Sequence, residues 1–169
     1  MPVGGEVSFV HLRVHSQYSI VDSIVDIDSL IERLVVERMP AVALTDECNL
    51  YAAVKFYKKA LSSGIKPIFG ADLRIKEGPS FSRLTVLCQT DQGLANLMRL
   101  ISRGYQEAER QDGIPMLPFE WFTQRSLEGL IGLSGGIDGR IGQALLKEES
   151  GIDALVDRYQ SLFLPDHFY

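Results

Sequence analysis

Phe9-Val10-His11-Leu12-Arg13-Val14-His15-Ser16 is the stretch that decides the architecture. Apolar and polar residues alternate through it, as they do along an extended chain whose successive side chains point to opposite faces. The alternation predicts a strand with Val10, Leu12 and Val14 on one face and His11, Arg13 and His15 on the other. No glycine-rich phosphate turn follows, which disfavours a dinucleotide-binding fold. A charged inner face on the first strand favours a barrel lumen or pocket.

Further along, Asp28 is the expected N-cap of a helix whose face is Leu30, Ile31, Leu34 and Val35, with Pro40 just beyond its end. Ala41 to Leu44 reads as a buried strand ending in Thr45-Asp46-Glu47. Asn49 is expected to cap a second helix, with Leu50, Ala53, Val54, Tyr57 and Leu61 turned inward and Gly64 closing it. A third strand follows from Pro67 to Ile75, then a loop from Lys76 to Ser80 and a fourth strand from Leu84 to Cys88. Thr90 or Asp91 starts a helix with Leu94, Leu97, Met98 and Ile101 inward. Gln111 to Pro118 reads as a loop, and Pro118 as the opening of a helical turn through Trp121. Leu130 to Leu133 is a fifth strand, ended by Ser134-Gly135-Gly136. Helical patterns through Ile141 to Lys147 and Asp153 to Phe163 complete the chain. Strands alternating with amphipathic helices predict a mostly parallel α/β sheet with right-handed crossovers, either barrel or open doubly wound.

The 169 residues suit one domain, and 46% hydrophobic residues are enough to bury a core. The formal charge is -5, which argues against a dedicated nucleic-acid surface, since phosphate neutralisation needs clustered Lys and Arg. Lys55, Lys58 and Lys59 read as the wet face of a helix. No apolar run approaches the ~20 residues of a membrane span, and Met1-Pro2-Val3-Gly4-Gly5-Glu6 lacks the pattern of a secretory leader. Cys48 and Cys88 form no metal-ribbon or disulfide pattern, so a reducing, cytoplasmic setting is expected.

In α/β sheets of this kind the chemistry sits at the carboxyl ends of the strands. The polar residues near those ends are His11, Arg13, His15 and Ser16, then Asp22, then Asp46 and Glu47, Asp72, and Ser134. Arg83 precedes its strand and joins them only by folding over. Imidazole with carboxylates is the chemistry of a divalent-metal hydrolase. It is equally that of a salt-bridged barrel interior, and both readings stand. His11 either lines the pocket or donates to a carbonyl. Ser16 lacks the Gly-x-Ser-x-Gly elbow of a nucleophile. Ser134-Gly135-Gly136 reads as a simple loop, with a phosphate cradle as the alternative. Cys48, Cys88, Trp121 and Phe122 read as packing residues, the last two in a satellite core.

The run from Phe9 to Ser19 resembles the opening of bacterial replicative DNA polymerases, the alpha subunit of DNA polymerase III. Met39 to Asp46, Asn49-Leu50, Val54 to Lys58, Gly64 to Gly70, Leu84 to Leu87 and Gly129 to Gly136 continue the resemblance in order. The region matched is the N-terminal PHP (polymerase and histidinol phosphatase) domain. The resemblance implies a distorted, TIM-like β/α barrel, seven-stranded in the family and here cut before its last strands. Residues 1–169 would be that domain, and the parent chain a DNA-directed DNA polymerase using magnesium, with its polymerase core absent here. DNA would be met through the parent chain rather than this segment. The implied partners are the proofreading exonuclease subunit and the rest of the holoenzyme.

The family's metal motif begins His-x-His, whereas the matching residues are Arg13-Val14-His15. Its Thr-Asp-His is Thr45-Asp46-Glu47, its glutamate after the third strand is Asp72, and a histidine expected before Leu84 is Arg83. Asp22 matches the acid that follows the first motif. A guanidinium cannot ligate a cation, so Arg13 and Arg83 are expected to replace metal charge by pairing with Asp22, Asp46, Glu47 or Asp72. No metal or other cofactor is then expected in this segment. His15, Asp22, Glu47 and Asp72 are the ligand set if one binds, with phosphoesterase or pyrophosphatase activity as the alternative. Arg13→Ala is expected to cost about 3–5 kcal/mol if its pairing is buried. An unrelated free-standing barrel is a further alternative. An unclosed sheet edge would invite self-association.

Overall fold

A computed structural model describes residues 9–20, 22–78 and 80–169. Helix α1 spans Ile27–Val36 and is capped by Asp26, whose carboxylate accepts from the Ser29 amide at 3.1 Å. The cap is therefore two residues ahead of Asp28, which lies in the first turn. The reason is Ile27: it is fully buried and begins the stripe Ile27, Ile31, Leu34 that the helix presents inward. Strand β1, Ala41–Leu44, is buried throughout.

Helix α2, Ala53–Ser62, turns a different face inward from the one expected. Ala52, Phe56 and Ala60 are buried, while Val54, Tyr57 and Leu61 are exposed. Alanines at that spacing bring the helix close to the sheet, and Phe56 fills the gap edge-on to Phe69. Asn49 does not cap α2. Its side chain accepts from the Tyr51 amide at 3.1 Å and donates to the carbonyls of Tyr18 and Glu47 at 3.2 and 3.0 Å.

Strand β2, Lys66–Glu77, and strand β3, Ser80–Cys88, form an antiparallel hairpin, with Gly78 at φ +70° turning the chain. The expected loop from Lys76 to Ser80 is therefore mostly strand. Helix α3, Asp91–Glu107, starts on Thr90, which accepts from the Gly93 amide at 3.1 Å. Its inner face is Gly93, Asn96, Leu97, Leu100, Ile101 and Gly104, and Met98 faces water. Gly93 is required there: a Cβ would lie 2.0 Å from the Gly129 carbonyl oxygen. Where a loop was expected, β4 (Arg110–Gln111) and β5 (Ile114–Pro118) make a second small hairpin, followed by a 3-10 turn at Phe119–Trp121. Strand β6, Leu130–Leu133, and helices α4, Arg140–Leu146, and α5, Ile152–Gln160, follow.

The sheet is mixed rather than mostly parallel. The strand path is β4-β5-β2-β3-β6, with β1 also on β2. β1 and β5 pair parallel with β2, whereas β3 runs against both β2 and β6, and β4 against β5. The hairpin forces this reversal, because a short turn can join only antiparallel strands. The Phe9–Val14 segment is not a regular strand. It meets β1 through one parallel bridge, His11 to Val42, and through amide bonds from Ala43 to the His11 carbonyl and from Thr45 to the Val14 carbonyl, both 2.8 Å. Without a continuous pleat its alternation is incomplete, and Leu12 is exposed.

β2 positions the site. Its alternate residues Ala71, Leu73 and Ile75 are fully buried in a core shared with Leu84, Val86, Leu97, Leu117 and Leu130. Phe122 belongs to this main core, and Trp121 packs on it, so neither forms a satellite. A second core joins α1, β1 and α2 through Ile27, Ile31, Val42, Leu44 and Phe56. Asp72 and Arg74, between the apolar residues of β2, face the opposite side. Among the described residues no helix is long and apolar enough to cross a membrane.

Candidate functional site

Asp72 has no exposed side-chain surface, and a carboxylate there needs partners. Its Oδ2 accepts from Arg13 Nε at 2.6 Å and lies 2.7 Å from His15 Nε2 and 3.8 Å from Arg83 Nη1. Its Oδ1 accepts from the hydroxyl of Thr85, its cross-strand neighbour on β3. The other ring nitrogen of His15 faces Asp22. A neutral imidazole carries one N–H, so two carboxylate contacts call for the imidazolium form. Burial opposes charge on His15, but hydrogen bonding and attraction from Asp72, then from Asp22, prevail and hold its pKa above the ordinary value. Burial likewise opposes ionisation of Asp72, yet the bonds from His15 and Thr85 and the charge of Arg13 keep its pKa below the carboxylate range.

Glu47, one residue beyond Asp46 after β1, is bridged to Asp72 in parallel fashion. Its Oε1 accepts from Arg74 Nε at 2.8 Å and lies 3.0 Å from Arg83 Nη2. Arg74 and Arg83 stand directly opposite on β2 and β3. Like charges in that position repel, and Glu47 is the anion set between them. Arg74 also donates to the Gln111 carbonyl at 3.2 Å and stacks over the Phe81 ring at 4.9 Å. The result is a chain of charges: Asp22, His15, Asp72, Arg83, Glu47, Arg74, with Arg13 joining at Asp72.

Arg13, His15, Asp22, Glu47, Asp72 and Arg83 are thus brought together. Arg83 reaches the cluster without any folding over, because the hairpin extends β3 back to Ser80 and places it in register. Two expected members stand apart. Asp46 is buried but accepts from the Ser16 amide at 2.6 Å and the Ser16 and Ser19 hydroxyls at 2.7 Å each, so it organises the 16–19 loop and pairs with neither arginine among the described residues. His11 packs its ring edge-on to Phe9 at 4.8 Å and is outside the cluster, since the irregular first segment does not carry its side chain to the face used by Arg13 and His15. Ser134 ends β6 at a turn closed onto β3: a Cβ on Gly135 would lie 2.5 Å from the Arg83 carbonyl oxygen.

Arg74, Thr85 and Ser19 escaped the sequence reading. Arg74 had a usable signal, since it is two residues from Asp72 on one strand and so shares its face. Thr85 became visible only with the hairpin register. Cys48 and Cys88 are packing residues, and burial pushes each thiol up to about 12.

The donor chemistry does not fit a divalent metal cluster. Both nitrogens of His15 face carboxylate oxygens, Asp72 Oδ2 is surrounded by three cationic side chains, and Glu47 Oε1 by two guanidinium groups. No side-chain nitrogen of the cluster is left with a lone pair directed at open space, and the arginines offer none.

Comparison with known proteins adds the following. The PHP domain family model matches residues 11–169. The DNA polymerase III subunit alpha of Pseudomonas aeruginosa is 44% identical over 168 residues, 96% of this chain and 14% of that protein. The DNA polymerase III subunit alpha of Escherichia coli K12 is 40% identical over 168 residues, 97% of this chain and 14% of that protein. This chain thus spans about one seventh of the length of these relatives. Among solved structures, an amidohydrolase from Chromobacterium violaceum is 20% identical, with a TM-score of 0.48 over 57% of this chain and 33% of that one.

Proposed function

The chain belongs to the PHP domain family, and from that premise we propose that it is the PHP region of a replicative DNA polymerase III alpha subunit. In that reading residues 1–169 serve the parent enzyme as a scaffold and as a docking surface for the proofreading exonuclease subunit. Primer extension with magnesium and contact with DNA belong to other parts of the parent polymerase, in the cytoplasm. The segment itself does no hydrolysis.

One observation carries the non-catalytic part of this reading. The carboxylates at the ends of β1 and in β2 are neutralised by Arg13, Arg74, Arg83 and His15. These cations are covalently part of the chain and cannot activate a water molecule as a metal does. A site filled by its own guanidinium groups keeps the fold's strand ends joined and has no place for a phosphoester. A docking role also agrees with the acidic balance of the chain, because protein partners, unlike nucleic acid, do not require a basic surface.

Elemental analysis of the purified chain after dialysis tests the first half, with zinc and manganese expected well below stoichiometric. Stoichiometric retention of either metal, with hydrolysis of pyrophosphate or a generic phosphoester that disappears in His15→Ala, overturns it in favour of a phosphoesterase. Co-elution with the exonuclease subunit tests the second half.

A further inference from the structure

We draw no further inference here: the strongest candidate, the apolar trough between the start of β2 and β6 lined by Leu12, Ile68, Leu87, Ile131, Leu133 and Tyr169, carries none, because nothing in the structure shows what covers it.

Discussion

Between α1 and α2, Lys55 lies 3.2 Å from Asp26 and 3.0 Å from Asp28, and Lys59 lies 3.1 Å from Glu32. Between β2, β3 and the turn after β1, Arg74 and Arg83 lie 2.8 and 3.0 Å from Glu47. The separations are alike, and the surroundings are opposite. The surface carboxylates and lysines keep much of their hydration, so making each pair gains little over water. Glu47 and Asp72 are almost wholly buried, and their hydration is gone. What matters inside is the cost of leaving a charge without its partner, which far exceeds the net worth of making the pair. A guanidinium suits the interior because its fork of donors is rigid and planar. An ammonium suits the surface because it stays hydrated on a flexible stem.

The largest effect should follow from Asp72→Ala. It leaves Arg13, His15 and Arg83 facing one another without their shared anion, and destabilisation of about 3–5 kcal/mol is expected in urea unfolding. A loss no larger than that of a surface pair would erase the contrast between the two regions.

A smaller effect should come from pH. The folded pKa of Asp72 is lowered, so its contribution is complete above its ordinary value of 3.8 and is lost as pH falls through the folded value. The folded pKa of His15 is raised, so its contribution is complete below its ordinary value of 6.5 and is lost as pH rises through the folded value. Stability from this pair is therefore whole between 3.8 and 6.5 and declines on both sides. The urea midpoint should fall from pH 6 to 9, and His15→Gln should flatten that slope. An unchanged slope in the variant would mean that another group is titrating.

Arg13→Ala sharpens the comparison, because Arg13 belongs to both worlds. Its side chain is 44% exposed while its partner is fully buried. The sequence expectation of about 3–5 kcal/mol presumed a buried pairing. With half its guanidinium in water, and with His15 and Thr85 remaining on Asp72, a loss of about 1 kcal/mol is expected instead. Thermal melting resolves this from the Asp72→Ala value.

Legibility in the sequence divides along the same line. The buried strand Ala41–Leu44 was readable as a continuous apolar run, and the long helix after Thr90 from its local periodicity and local cap. The ionic cluster was readable in part, since Arg13, His15, Glu47, Asp72 and Arg83 are the residue types a metal pocket would hold or replace. Thr85 was not read, because its place depends on the β2–β3 register, which joins residues through a hairpin rather than through a period, whereas Arg74 was missed although its spacing from Asp72 on one strand was there to be read. The inward face of α2 was misread for a related reason. Val54, Tyr57 and Leu61 form the more hydrophobic stripe, but Ala52, Phe56 and Ala60 are the residues whose shape fits the space left by the sheet and α1. Asp46 was assigned to the pocket by its place at the end of the second strand, while its carboxylate accepts instead from Ser16 and Ser19.

Lys55→Ala should have the smallest effect, and the outcome matters because the geometry alone would mislead. Lys55 touches two carboxylates at normal ion-pair distances, and hydrogen bonds to Asp28 and Asp26 raise its pKa. A count of bridges would rank it beside Arg74. Yet the ammonium and both aspartates are in water, Lys59 also reaches Asp28 at 3.5 Å, and Asp26 keeps its capping bond to Ser29. Water and the neighbouring lysine replace what is removed. No measurable shift in melting is expected at physiological salt, where screening acts over about 8 Å, and any shift seen at low salt should vanish as salt is added. A salt-insensitive loss comparable to that of Arg13→Ala would show that the α1–α2 pairs are held as rigidly as the interior ones. It would also show that burial is not what separates the two regions.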